Sequence, residues 1–162
     1  MPVQGATYGQ VHSAGAEGAM VDGQLRNVRS GVAQVAIPFG LGVVKGTGDN
    51  DVKLPTTIGE AQSLIGVSVR EQDDAANSSD VLRYEAGRNM AYCDFGVIYV
   101  KVENAVTARA AAFCRFTAGA GGTQPGAFRS NADTNTAGAP FSAIFLASGA
   151  AGSIVPLRFW LG

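Results

Sequence analysis

Charge is scarce in this chain of 162 residues. Asp, Glu, Lys and Arg make up 15% of it, against roughly 25% in an average soluble domain. Twelve Lys and Arg face thirteen Asp and Glu, a net charge of −1. Without a basic excess there is no footprint for the phosphate backbone, and nucleic acid is not an expected partner. Nor does much electrostatic repulsion hold copies apart, which is easiest to understand if partners cover a large part of the surface.

Catalytic residue types are equally thin. The one histidine, His12, lies in a Gly- and Ala-rich stretch with nothing nearby to hold it, so Ser/His/Asp and Cys/His chemistry has no anchored base. One imidazole also cannot build a cupin-like metal site. Asp49, Asp51, Asp73, Asp74 and Asp80 sit in turn sequences rather than along strand faces, where a glycosidase would carry its two carboxylates. Asp49-Asn50-Asp51 lacks the spacing and the twelfth-position Glu of a calcium loop. The Gly clusters at 40–42 and 119–122 lack the phosphate-loop pattern and read as turns. No catalytic residue, cofactor or metal ligand is therefore nominated. Cys93 and Cys114 form no CxxC or Cys/His pattern; buried free thiols are the simple expectation, and a cross-strand disulfide stays open. No apolar run reaches the roughly 18 to 20 residues that span a bilayer. The start MPVQGATYGQ has neither a positive segment nor an apolar run, so neither membrane nor export is expected.

What the chain does have is glycine, at 22 positions, and 46% apolar residues distributed with period 2. Val155, Leu157, Phe159 and Leu161 alternate with Pro156, Arg158 and Trp160. Ile98, Val100 and Val102 alternate with Val97, Tyr99, Lys101 and Glu103. Alternation puts i and i+2 on one face, so the first-named residue of each series and its partners point into a shared core. Further β-type runs lie at 34–39, 64–71, 81–84, 90–95, 112–117 and 141–147, separated by Gly, Asp, Asn and Pro turn chemistry. Only 57–64 suggests a single helical turn, while 105–112 reads as a connection between strands. The expected fold is all-β: a single antiparallel β-sandwich or barrel, jelly-roll-like, over residues 31–162. Residues 1–30 show no periodicity and are expected to form an extended N-terminal arm. The loop region 118–140 is polar, with one short strand around Phe128.

The order of features carries more. Gly31 leads to Phe39-Gly40 and Val43-Val44, then Ile65-Gly66-Val67-Ser68-Val69, Tyr84-Glu85-Ala86-Gly87 and Val97-Ile98-Tyr99-Val100-Lys101-Val102. Phe141-Ser142-Ala143 and Gly149-Ala150-Ala151-Gly152-Ser153-Ile154-Val155-Pro156-Leu157 follow. This succession resembles the structural cement (capsid decoration) proteins of tailed bacteriophages over most of 31–161. Ala108-Arg109 departs from a Gly-Asp turn that the family carries there. The resemblance implies a non-enzymatic virion protein, assembled in the host cytoplasm, that binds the outside of the major capsid protein shell and clamps capsomer seams. It implies self-association too, with a homotrimer favoured over a dimer. On that reading the arm meets the shell or a neighbouring subunit, and its candidate contacts are Val3, Tyr8, Val11, Leu25, Arg26, Val28 and Arg29. Two competing classes are a tail or receptor-recognition β-sandwich module, which would show an exposed aromatic groove, and a sandwich-fold glycosidase or lyase, which would show two convergent carboxylates.

Overall fold

The computed structural model describes residues 15–21, 23–71, 83–119, 123–132 and 142–160. The elements in chain order are β1 (Asn27–Ala33), β2 (Ile37–Pro38), β3 (Gly42–Lys45), β4 (Asp51–Lys53), α1 (Ile58–Gln62) and β5 (Gly66–Ser68). There follow β6 (Arg83–Tyr84), β7 (Asn89–Lys101), β8 (Phe113–Cys114), β9 (Phe128–Arg129), β10 (Ala143–Phe145) and β11 (Ile154–Trp160). The protein is nearly all β, as the period-2 pattern requires.

Five strands close into a ring, β1-β4-β3-β5-β7, with β7 returning to β1. Of the sandwich and barrel alternatives, the structure is the barrel. It is not purely antiparallel: Val32 and Ala33 of β1 run parallel to Asp51 and Val52 of β4. The reason is parity. Strand directions cannot alternate all the way round a ring with an odd number of members, and the other four contacts are antiparallel. At β3 and at the start of β7 the wall is buried on both faces, because Val43 and Val44 enter different apolar clusters, and so do Met90 and Ala91.

β7 holds the molecule together. Its first half is paired with β1 and β5, its second half with β11, and β11 carries β10 on its far edge. The sequence separates 90–95 from 96–103; the structure makes them one strand with a change of phase. Ala91 and Cys93 face the larger cluster in the first half, Ile98 and Val100 in the second, so the inward residues switch from odd to even. An extra residue opposite the Asn27/Val28 step absorbs the shift, as a β-bulge does. Gly96 follows it at φ +143°, a backbone setting that side chains disfavour, and a Cβ there would meet Arg26 and the Cys93 sulfur at 3.1 and 3.3 Å. Ile98, Val100, Val102, Val155, Leu157 and Phe159 are all buried, as expected, whereas Leu161 lies outside the described residues. Val97, expected on a partly wet face, is buried as well.

The N-terminal region differs most from expectation. β1 runs straight across the 30/31 boundary, so Asn27–Ser30 are part of the sheet. Further upstream, Gly18 donates to the Tyr99 carbonyl (2.8 Å), Tyr99 to Ala19 (2.9 Å) and Val21 to Val97 (3.0 Å). Residues 15–21 and 27–33 are thus stitched to β7 of their own chain. Backbone pairing accomplishes this without apolar periodicity, which is why the pattern did not show it.

α1 is the single turn expected within 57–64, capped by the Thr57 hydroxyl, which accepts from the Glu60 N–H. Cys93 and Cys114 are free and buried, and burial pushes the Cys93 thiol up to about 11 and Cys114 upward too. At 108–109 the chain turns with Arg109 at φ +70°, the left-handed setting a glycine would adopt without strain. Among the described residues no helix is long and apolar enough to cross a membrane.

Candidate docking surface

The alternation that sends Leu157 and Phe159 into the core sends Arg158 and Trp160 outward. Pairing register then assembles a face. Ile144 on β10 stands beside Arg158 on β11, which stands beside Val97 on β7; Trp160 stands beside Phe95. Gln24 and Leu25 close one side, and together these residues line a shallow groove of about 470 Å³. Its rim is conspicuously wet for apolar side chains: Leu25 is 81% exposed and Phe95 42%. Exposed apolar side chains gathered along one groove make this face a candidate contact surface.

Beside the face runs the chain from 23 to 30, every residue of which is exposed. A strand exposed on both faces needs another restraint, and Asp94 supplies it. This carboxylate is only 4% exposed and accepts from Asn27 Nδ2 at 2.7 Å and from Arg29 Nε. A buried carboxylate satisfied by two donors from one strand pins that strand down. Arg26 and Val28 border a second groove of about 530 Å³, shared with Ala16, Ala19, Met20, Val69 and Arg70.

Of the seven contacts nominated from the sequence, Leu25, Arg26, Val28 and Arg29 come together along this exposed segment. Val3, Tyr8 and Val11 lie outside the described residues, as does His12. Phe95, Ile144, Arg158 and Trp160 were not nominated. Arg158 and Trp160 carried a signal, since they are the off-core positions of an alternating strand; Phe95 and Ile144 join them only through register.

Elsewhere the polar groups serve the fold. Glu103 lies between Arg115 (2.5 Å) and Arg129 (3.7 Å), largely buried with both. Asp51 accepts from the Gly48 N–H (2.9 Å) and closes the turn between β3 and β4, so the 49–51 run is spent on that turn. Asp73, Asp74 and Asp80 lie outside the described residues. Among the described residues no three His, Cys, Asp or Glu side chains group to hold a metal ion.

The family model of the phage structural cement protein (E217 gp24/Pam3 gp6) matches residues 3–159. The chain belongs to this family. The cement protein is also similar in structure to a chain in the capsid of Myoviridae phage XM1, with a TM-score of 0.72, 15% identity and 95% of both chains covered. A weaker likeness, with a TM-score of 0.47 and 12% identity over 83% of this chain and 94% of the other, is to the head fibre gp8.5 N base in bacteriophage phi29. No curated protein matches the sequence. The cement protein is thus a virion structural protein that associates with the capsid shell and stabilises it.

Proposed function

We propose that this cement protein binds the outer surface of the major capsid protein shell across capsomer seams, without catalysis, through the Leu25–Phe95–Trp160 face and the adjoining residues Arg26, Val28 and Arg29. The observation that carries the reading is that this face is largely apolar, exposed and carried on β7, the strand that the closed ring and the outer sheet share. A rigid mount lets contact area become affinity with little ordering cost. Val3, Tyr8 and Val11, which lie outside the described residues, remain part of the proposed set of shell contacts. Copies associate as homotrimers on the shell, assembly takes place in the host cytoplasm, and neither nucleic acid nor membrane takes part.

A ligand that binds only the closed seam stabilises it by mass action, and many copies share the load. Each copy then needs no more than a standard interface of about 1,600 Å² in total. The test is add-back. Capsids assembled without the protein are mixed with purified full-length chain, then followed by cosedimentation, by cryo-EM and by the temperature at which DNA is released. Density on the shell exterior and a higher release temperature are expected; a protein that fails to sediment with the shells would end the proposal.

A further inference from the structure

Among the described residues, the Val28–Ser30 part of one edge of β1 takes no strand. In a strand, the N–H and C=O of alternate residues point to opposite sides. Val32 N–H points away from β7, because it donates to Asn50 at 2.9 Å, and Ala33 points towards β7, because it donates to Arg88 at 2.9 Å. Counting back by twos from Val32, the backbone groups of Ser30 and Val28 also point away from β7. β4 covers only Val32 and Ala33, and among the described residues no hydrogen bond reaches the outward groups of Val28 or Ser30. Such an edge is a template for another strand and is usually blocked unless a partner takes it.

The surroundings specify the chemistry of that partner. On one side lies the apolar groove of Leu25, Phe95, Ile144 and Trp160, and on the other Met20, Val28 and Val69. The cations in these grooves are Arg26, Arg70 and Arg158, and no carboxylate lines either, whereas the groove at Arg29 and Ser30 is lined by Asp49, Asp51 and Asp94 beside Lys45, so acidic side chains of a partner fit only towards the Arg26 end. Arg26 and Arg158 have no ion-pair partner among the described residues, and the nearby Asp94 is occupied by Asn27 and Arg29. A second copy using the same short edge would crowd two unpaired Arg26 guanidinium groups together, which like charges oppose.

We infer that Asn27–Ser30 receives an extended segment of the capsid shell protein as an added strand, with apolar side chains entering the two grooves and acidic side chains meeting Arg26 and Arg158. This rests on the shell-binding reading above and names how the contact is made. Main-chain bonds at the edge supply part of the affinity, and the grooves and arginines supply specificity.

Hydrogen exchange on the full-length protein, free and bound to shells, tests it directly. The Val28 and Ser30 amides should exchange rapidly in the free protein and at least tenfold more slowly on the shell. Val28→Pro removes an outward donor while leaving the β7 pairing, a placement that edge strands tolerate; it should keep nearly the same melting temperature and bind shells about tenfold more weakly. Should that variant fold poorly, Arg26→Glu with Arg158→Glu takes its place, with an expected loss of shell affinity that is steepest at low salt. Wild type that binds shells with no protection at Val28 and Ser30, or charge-reversed protein that binds as well as wild type, overturns the edge contact and leaves the cement reading intact. Wild type that binds no shell sinks the cement reading itself. Protection in the isolated protein that grows with concentration would make the occupant a second copy. If Asp73→Asn, Asp74→Asn and Asp80→Asn together unmask the edge in the free protein, the occupant is the chain's own acidic segment. Either outcome overturns the proposal.

Discussion

β1 and β11 are both seven-residue strands laid antiparallel on β7, yet they are held there by different physics. β11 alternates buried and accessible along its length, with Val155, Leu157 and Phe159 in the core. The first four residues of β1 are all exposed; pairing and the Asp94 carboxylate secure them instead. The lesson is that hydrogen bonding and burial are separable. A strand that is paired but unburied keeps both faces and an edge available for a partner, whereas a strand that is paired and buried defines the scaffold.

The most severe way to break the contrast is to charge the buried strand. Val155→Asp places an unpaired carboxylate in the core and is expected to cost about 3–5 kcal/mol, measured by urea unfolding. A variant that unfolds at the wild-type midpoint would show that β11 does not define the scaffold. Neighbours on β11 sharpen the same point: Phe159→Ala should cost about 3–5 kcal/mol, while Trp160→Ala, on the outward face, should cost well under half as much and lower shell binding instead. Equal losses of stability would erase the distinction between the two faces.

For β1 the corresponding test is the clamp. Asp94→Ala leaves Asn27 and Arg29 without their acceptor, and a loss of about 1–3 kcal/mol is expected. Amide exchange over 27–30 should rise much more than over 155–159. If exchange rises uniformly, the strand is not locally restrained by Asp94.

A smaller effect concerns another carboxylate that ties strand to surface. Burial raises the Glu60 pKa, but hydrogen bonds from Lys53 and Thr56 outweigh it and set the group at about 2. Its folded pKa lies below the unfolded value near 4.5, so the stabilisation is present above pH 4.5 and is lost as pH falls towards 2. Glu60→Gln should flatten that part of the acid-unfolding curve and cost about 1 kcal/mol at neutral pH, since the pair is partly exposed. Smallest of all, Arg109→Gly should stabilise by up to about 1 kcal/mol by relieving the left-handed backbone at φ +70°.

This contrast also explains what the sequence made legible. Periodicity reports burial, so β11 and the second half of β7 were plain from Val155–Leu157–Phe159 and Ile98–Val100. It was silent about β1, where Asn27, Val28, Arg29 and Ser30 are exposed on either face. It did not mark β3, where the neighbours Val43 and Val44 are both buried because the ring wall has apolar material on each side there. Family resemblance rested on the buried motifs and was confirmed by the match over 3–159. The docking face was half visible: Arg158 and Trp160 could be assigned away from the core, but Phe95 and Ile144 join them only through pairing register, which no local pattern encodes.

The phase change just before Gly96 has a mechanical meaning. Because one continuous strand belongs first to the ring and then to the outer sheet, tension applied at the Trp160 face passes into the ring through covalent backbone rather than across a domain joint. β11 overlaps β7 along its whole length, from Ile154 opposite Lys101 to Trp160 opposite Phe95. A pull along the strands therefore loads those rungs in parallel, in shear, and they must yield together instead of unzipping one at a time. A swelling shell would strain such a fastener in its stiffest direction if its seams open along the β7 axis.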